Sequence, residues 1–134
     1  MITPDGPCVE AGRRAGVRWL PLALKRRMHA ASDIVGTVQL ILQQPENQAH
    51  RAHVAKLLVH SRGRRRGIGT ALMAATEELA LSLQKSLIDL DTAVGPSEAF
   101  YQKLGWSILG TVPGYALSAH GVPCDYRFFY RRLT

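Results

Sequence analysis

The segment Val54-Ala55-Lys56-Leu57-Leu58-Val59-His60-Ser61-Arg62-Gly63-Arg64-Arg65-Arg66-Gly67-Ile68-Gly69-Thr70-Ala71-Leu72 decides the fold. Its apolar start reads as a buried strand, its basic glycine-rich middle as a loop, and its end as the opening of an amphipathic helix. At such an opening the first backbone N–H groups lack intrahelical partners, and the aligned peptide dipoles place about half a positive charge there. Gly67 and Gly69 carry no side chain to hold a bulky anion away, and Arg62, Arg64, Arg65 and Arg66 add charge with forked donors. The stretch is an anion site, and the ligand it suits is a polyanion.

Outward from that site, the positions Ile68, Leu72, Ala75, Leu79 and Leu83 recur at spacings of three and four, which predicts a helix from Ile68 to about Leu83 with one face on a sheet. Leu87 to Asp91 is the next strand, so strand, helix and strand form a parallel right-handed crossover. Upstream, Ile34 to Leu42 alternates, with Val38, Leu40 and Leu42 on one face and Thr37, Gln39 and Ile41 on the other. A turn at Gln44 to Gln48 returns the chain through Ala52 to Val59 as an antiparallel hairpin. Downstream, Pro96 and Gly105 bracket a short helix carrying Phe100, Tyr101 and Leu104. Two strands close the chain, Ser107 to Val112 and Tyr126 to Leu133, joined through Pro113-Gly114-Tyr115 and the turn His120 to Pro123. In the last strand Tyr126, Phe128 and Tyr130 share one face while Arg127, Phe129 and Arg131 share the other.

The expected class is α/β, of the α+β kind, with a twisted mixed sheet around that central parallel unit. Residues 34–134 form the domain, and residues 1–33 are a poorly defined basic segment in which a short helix over Leu22 to Ala31 is one option. The length of 134 residues is one domain's worth, and the hydrophobic share of 46% with 20% charged residues is ordinary for a globular chain. No apolar run approaches the roughly 20 residues of a membrane helix, so no membrane partner is expected. Cys8 and Cys124 make no disulfide framework and no zinc pattern, which predicts reduced thiols, a cytoplasmic setting and no metal. The formal charge of +7 gathers in the loop and in the front segment, around Arg13, Arg14, Arg18 and Lys25-Arg26-Arg27.

Three phosphate-binding patterns compete for the loop. The P-loop needs Gly-Lys-Ser or Gly-Lys-Thr, and neither occurs. The dinucleotide fingerprint finds Gly67-Ile68-Gly69 with Asp89 and Asp91 about twenty residues on, but Leu72 stands where it wants a third glycine. The third pattern is Arg64-x-x-Gly67-x-Gly69 between strand and helix, which resembles the acetyl-coenzyme A signature of the GNAT acetyltransferase superfamily. Leu90-Asp91-Thr92, Ala99-Phe100-Tyr101-Gln102-Lys103-Leu104-Gly105-Trp106 and Gly110-Thr111-Val112-Pro113-Gly114-Tyr115-Ala116 follow in the superfamily's order, nearest to its tabtoxin-resistance branch.

That resemblance implies direct transfer of an acetyl group from acetyl-CoA, as cosubstrate, to the amine of a small molecule. Leu58 and Val59 would be the strand edge for the pantetheine, and Arg64, Arg65, Arg66, Gly67, Ile68, Gly69 and Thr70 the pyrophosphate cradle. For the chemistry it points to His53 as base, Asp91 as substrate-binding acid, and Tyr101 as proton donor to the leaving thiolate. An ammonium of pKa about 10.4 must lose a proton before it attacks, and a histidine near 6.5 is largely neutral at pH 7 and able to take it. Gly114 and Tyr115 would shape the acceptor pocket. The superfamily places about twice the present length before its first hairpin, including two helices that form one wall of the acceptor site, and that wall is expected to be absent here. A CoA binder with impaired catalysis is therefore an alternative, followed by a dinucleotide-binding or nucleic-acid-binding module. Against the last, the basic loop has no interleaved aromatic for base stacking, so no specific nucleic acid is expected. A homodimer is left open.

Overall fold

The structure, a computed structural model, describes residues 17–22, 25–30, 33–42, 44–61 and 67–133. Alternating and β-branched segments give seven strands, β1 Val17–Leu22, β2 Lys25–Ala30, β3 Asp33–Ile41, β4 Arg51–Val59, β5 Leu87–Ala93, β6 Ser107–Leu117 and β7 Pro123–Arg132. Two helices interrupt them, α1 Ile68–Ser82 after β4 and α2 Ser97–Lys103 after β5. The strands form one mixed sheet in the order β1-β2-β3-β4-β5-β7-β6, in which only β4 and β5 run parallel. This is the α+β class expected, with the predicted β4-α1-β5 crossover at its centre.

The front of the chain departs from expectation. Lys25–Ala30 is a strand and not part of a helix over Leu22 to Ala31, because it is hydrogen-bonded on both sides, to β1 and to β3. Pairing across the chain overrides the weak local helix preference of Lys25-Arg26-Arg27-Met28. The Cys8 thiol lies outside the described residues, and Cys124 is free.

Burial follows the strand and helix periods. Val38 and Leu40 of β3, Ala52 and Val54 of β4, and Ile88 and Leu90 of β5 face α1, which contributes Ile68, Leu72, Ala75 and Leu79. Ala71, Met73, Thr76 and Ala80 are buried as well, so α1 is covered over a wider arc than a single stripe. Leu83 is the exception at 39% exposure, because the helix ends at Ser82 and Leu83 leaves the helical backbone as its cap. Where β3 crosses α1, Gly36 allows near-contact: a Cβ there would stand 2.9 Å from both Ile68 Cγ2 and Leu72 Cδ1. The short α2 is bound to β7 by Arg131, whose guanidinium donates to the Leu104 carbonyl at the helix end and faces Glu77 of α1 at 3.4 Å.

The segment Pro113-Gly114-Tyr115, read from sequence as a connector, lies within β6. A proline is tolerated there because β6 is an edge strand and its register breaks between Val112 and Ala116. Gly114 takes φ of +62°, and its amide donates to Asp125 Oδ1 at 2.9 Å.

Candidate active site

Two features of the sheet build the site. The first is a wedge. β4 and β5 pair only at Arg51 with Leu87, Ala52 with Ile88 and His53 with Asp89, after which the strands part although each continues. A bulge in β4 accompanies the parting: Thr37 pairs with Leu58 but Gln39 with Ala55, so β4 holds one residue more than β3, and Lys56 takes φ of +56°. The lips of the wedge are the facing sides of β4 and β5, which pair outward with β3 and β7 but, among the described residues, not with each other, and Leu58 on one of them is 63% exposed.

The N-terminus of α1 stands beside this wedge. Gly67 caps the helix at φ of +74°, with nothing within 4 Å of where a Cβ would be. The first amide bonded back to the helix entrance is that of Ala71, onto the Gly67 carbonyl at 3.0 Å, so those of Ile68, Gly69 and Thr70 precede the helical ladder. Room, and amides with no partner among the described residues, fit a phosphate at a helix start. Gly69 serves packing as well, since a Cβ there would meet Phe100 Cζ of α2 at 3.2 Å. Ile68 is a core residue at 2% exposure, and only its backbone is available to a ligand. Thr70 is exposed and Val59 half-buried. Arg64, Arg65 and Arg66, with Arg62, lie outside the described residues.

The second feature is a cavity of about 590 Å³ on the sheet face opposite α1 and α2. Strand register lays its floor in rungs. Arg51, Leu87 and Arg132 align in one rung, His53, Asp89 and Tyr130 in the next, and Asp91 and Phe128 in a third, past the point where β4 has turned away. Leu109 and Tyr115 of β6 rise as a wall, with the Tyr115 ring edge-on to Phe128 at 4.9 Å.

Asp89 is the hub of the polar floor. One carboxylate oxygen accepts from Arg51 Nη1 at 2.5 Å, and the other is bonded to His53 Nδ1. Arg51 is held in turn by Gln48 Oε1, 2.9 Å from its Nε, and by Gln44 from the β3–β4 turn. The other imidazole nitrogen, His53 Nε2, faces Asp91 Oδ2 at 3.6 Å. The hydrogen bond to Asp89 raises the His53 pKa above its usual value, aided by the charges of Asp89 and Asp91 and opposed by burial and Arg51. Burial pushes the Asp89 carboxyl up, but the bonds from His53 and Arg51 outweigh it and hold it below the usual range. An imidazole anchored at Nδ1 by a carboxylate presents Nε2 as its proton-accepting atom.

The structure thus joins His53 and Asp91 but sets Tyr101 apart from them. Tyr101 belongs to α2 on the helix-covered face, 8% exposed and packed against Phe100, Trp106 and Phe129, with ring centroids 5.1, 6.3 and 5.5 Å away. Burial raises its phenol pKa, which keeps it protonated and a donor. Asp89, which a dinucleotide reading places on a ribose, is spent instead on Arg51 and His53. Arg51 escaped the sequence reading, and Phe128 and Tyr130, placed there on one face of the last strand, were not assigned to the site. Their signal was present in the strand period, which puts Arg51 with His53, and Asp89 with Asp91, on one face of two adjacent strands.

Among the described residues no cluster of histidine, cysteine and acidic side chains could hold a metal, and no helix is long and apolar enough to cross a membrane. Residues 11–106 match the model of the acetyltransferase (GNAT) family. The chain belongs to the GNAT acetyltransferases.

Solved structures agree on the fold. Ribosomal-protein-alanine N-acetyltransferase from Brucella melitensis superposes on this acetyltransferase with a TM-score of 0.73 at 22% identity, over 93% of this chain and 74% of that one. The Salmonella typhimurium protein yncA, solved with its cofactor acetyl-CoA, gives 0.72 at 14% identity over 94% and 70%. Arabidopsis thaliana Naa50, in complex with the bisubstrate analogue CoA-Ac-MVNAL, gives 0.69 at 23% identity over 81% and 72%.

Proposed function

We propose that this GNAT protein transfers the acetyl group of acetyl-CoA directly to the primary amine of a small molecule. The observation that carries the reading is the His53 pair: Nδ1 anchored on Asp89, Nε2 turned toward Asp91 and the cavity, at the rung where the wedge begins. Acetyl-CoA supplies the activated acyl group. Arg64, Arg65, Arg66 and the amides from Gly67 to Thr70 hold its diphosphate, and the lip at Leu58 and Val59 offers backbone groups to the pantetheine amides, as an edge strand does to an added one. Asp91 draws the acceptor's ammonium into the cavity. His53 Nε2 removes its proton, the freed amine bonds to the acetyl carbon as the C–S bond breaks, Tyr101 gives a proton to the departing sulfur, and the second proton that the nitrogen sheds on becoming an amide restores the tyrosine through solvent.

The likeness of Ala99 to Trp106 and Gly110 to Ala116 to the tabtoxin-resistance branch supports a small-molecule acceptor. The free Cys124 supports a reducing, cytoplasmic compartment, and exposed Val112 and Leu117 on edge strand β6 support pairing of two copies. A second reading, a CoA binder that turns over slowly, is favoured by the cavity face, which no helix covers among the described residues.

Two measurements test the proposal. Acetyl-CoA should raise the melting temperature while NAD does not, and charge reversal at Arg64 and Arg66 should abolish the rise. Thiol release from acetyl-CoA on an amine panel then separates enzyme from binder. No shift with acetyl-CoA at low salt would overturn both readings.

A further inference from the structure

The charges lining the cavity do not cancel locally, and they define the acceptor. Arg51 and Asp89 neutralise each other, and Arg51's remaining donors go to Gln44 and Gln48. Two groups of opposite sign remain. The Asp91 carboxylate has His53 Nε2 at 3.6 Å as its one charged neighbour among the described residues. The Arg132 guanidinium, on the cavity rim, has no ion pair or side-chain hydrogen bond among them. Between the two lie Phe128, Tyr130 and Leu87, walled by Tyr115 and Leu109.

Register fixes how far apart they stand. Arg132 is opposite Leu87 and Asp91 opposite Phe128, which is four residues along β5. At a strand rise of about 3.3 Å, with about 5 Å between the strands, the two Cα positions are roughly 14 Å apart. Strand side chains stand roughly perpendicular to the sheet, so the charged ends keep most of that separation. An α-amino acid, its two charges about 3 Å apart, spans only about 9 Å with a hydrogen bond at each end, so it cannot satisfy both. The aromatic rings at the Asp91 end suit a cation, whose charge their faces attract, and they suit an apolar skeleton beyond it.

From this layout, and resting on the acetyl-transfer reading above, we infer that the acceptor is an amine on an aromatic or apolar body with an anionic group several bonds from the nitrogen. The ammonium lies against Asp91 within reach of His53 Nε2, the body on Phe128 and Tyr130, and the anion at Arg132.

Matched acceptors test it: phenylpropylamine, its ring para-carboxylate, and phenylalanine, whose carboxylate sits on the carbon that bears the nitrogen. The para-carboxylate should show a KM about five- to tenfold below that of phenylpropylamine, a range set by one forked but rim-exposed ion pair. Phenylalanine should be the poorest acceptor of the three. Arg132→Gln should bring the para-carboxylate and phenylpropylamine together, and Asp91→Asn should weaken both. Equal KM values for that pair in the parent protein, or phenylalanine as the best acceptor, would overturn the inference. Calorimetric binding of the para-carboxylate without acetyl-CoA supplies an arm that needs no turnover. Binding that is lost in Arg132→Gln supports the inference even where no acetyl transfer occurs, and binding indifferent to Arg132→Gln refutes it.

Discussion

Replacing Asp89 by Asn tests the polar floor most directly, because the carboxylate serves two donors at once. It accepts from Arg51 Nη1 and is bonded to His53 Nδ1, with its side chain about a quarter exposed. An amide of the same shape keeps one acceptor oxygen and turns an NH₂ toward the other partner. One charge-assisted hydrogen bond is therefore lost, at a cost of about 1.5–3 kcal/mol. For a domain of this size each kcal/mol moves the melting point by about 3–5 °C, which gives a fall of about 5–15 °C. The loss depends on pH in a defined way. Asp89 titrates low in the fold, so its contribution is present above its ordinary value near 3.8 and fades as pH falls through the depressed folded value. His53 titrates high, so its contribution is full below its ordinary value of 6.5 and fades as pH rises through the raised one. The stability gap between parent and Asp89→Asn should thus be widest between pH 3.8 and 6.5 and narrow above that range. Activity should respond as well. Without Asp89 the forces left on His53 are burial and Arg51, which lower its pKa, against Asp91 alone, which raises it. The acid limb of kcat/KM, read by thiol release, should move to lower pH. The plateau should fall by up to the about 10²–10⁴ that general-base catalysis contributes, because an amide that donates to Nδ1 leaves the proton on Nε2. An acid limb that stays in place with Asp89→Asn folded would refute His53 as the base, and a uniform stability gap from pH 4 to 9 would refute the ion-pair account.

Other substitutions probe other joints. Gly36→Ala pushes a methyl into Ile68 and Leu72 at 2.9 Å, so it should destabilise by about 1–3 kcal/mol in denaturant unfolding, and an unchanged midpoint would mean that α1 can slide. At Gly67, alanine meets no neighbour but must adopt φ of +74°, so about 1–2 kcal/mol of stability should be lost while the thermal shift with acetyl-CoA shrinks, as the new methyl enters the anion space. Tyr101→Phe keeps the ring contacts, and among the described residues the hydroxyl makes no hydrogen bond, so the melting point should barely move while kcat falls and acetyl-CoA affinity holds. Equal kcat in Tyr101→Phe would remove it from the proton path.

What the sequence disclosed follows from the range of the interactions that set each feature. The helix from Ile68, the parallel return at Leu87 and the short helix with Tyr101 rest on periods and caps within a dozen residues, and all three appear where those signals put them. The β1–β2 hairpin has no such local signal. It holds because β2 is bonded on both sides, and that pairing is invisible in the composition of Lys25 to Ala30. The passage of β6 through Pro113 is hidden for the same reason, since only its place at the sheet edge makes a proline tolerable there.

The candidate site divides along the same line. His53 and Asp91 come from the superfamily resemblance and not from the strand pattern alone, and neither source points to the group that gives His53 its direction. Asp89 meets His53 because they are the last of the three paired positions of β4 and β5 before the strands part, and one extra residue in β4, with Lys56 at positive φ, accompanies the parting. Had β4 stayed straight and paired to its end, the third rung would be closed by Ala55 beside Asp91, leaving no opening between the strands. The bulge therefore does two things at once. It accompanies the opening of backbone lips on β4 and β5, and it leaves the half-buried Asp91 open to the cavity 3.6 Å from His53 Nε2, the arrangement that the proposed acetyl transfer requires.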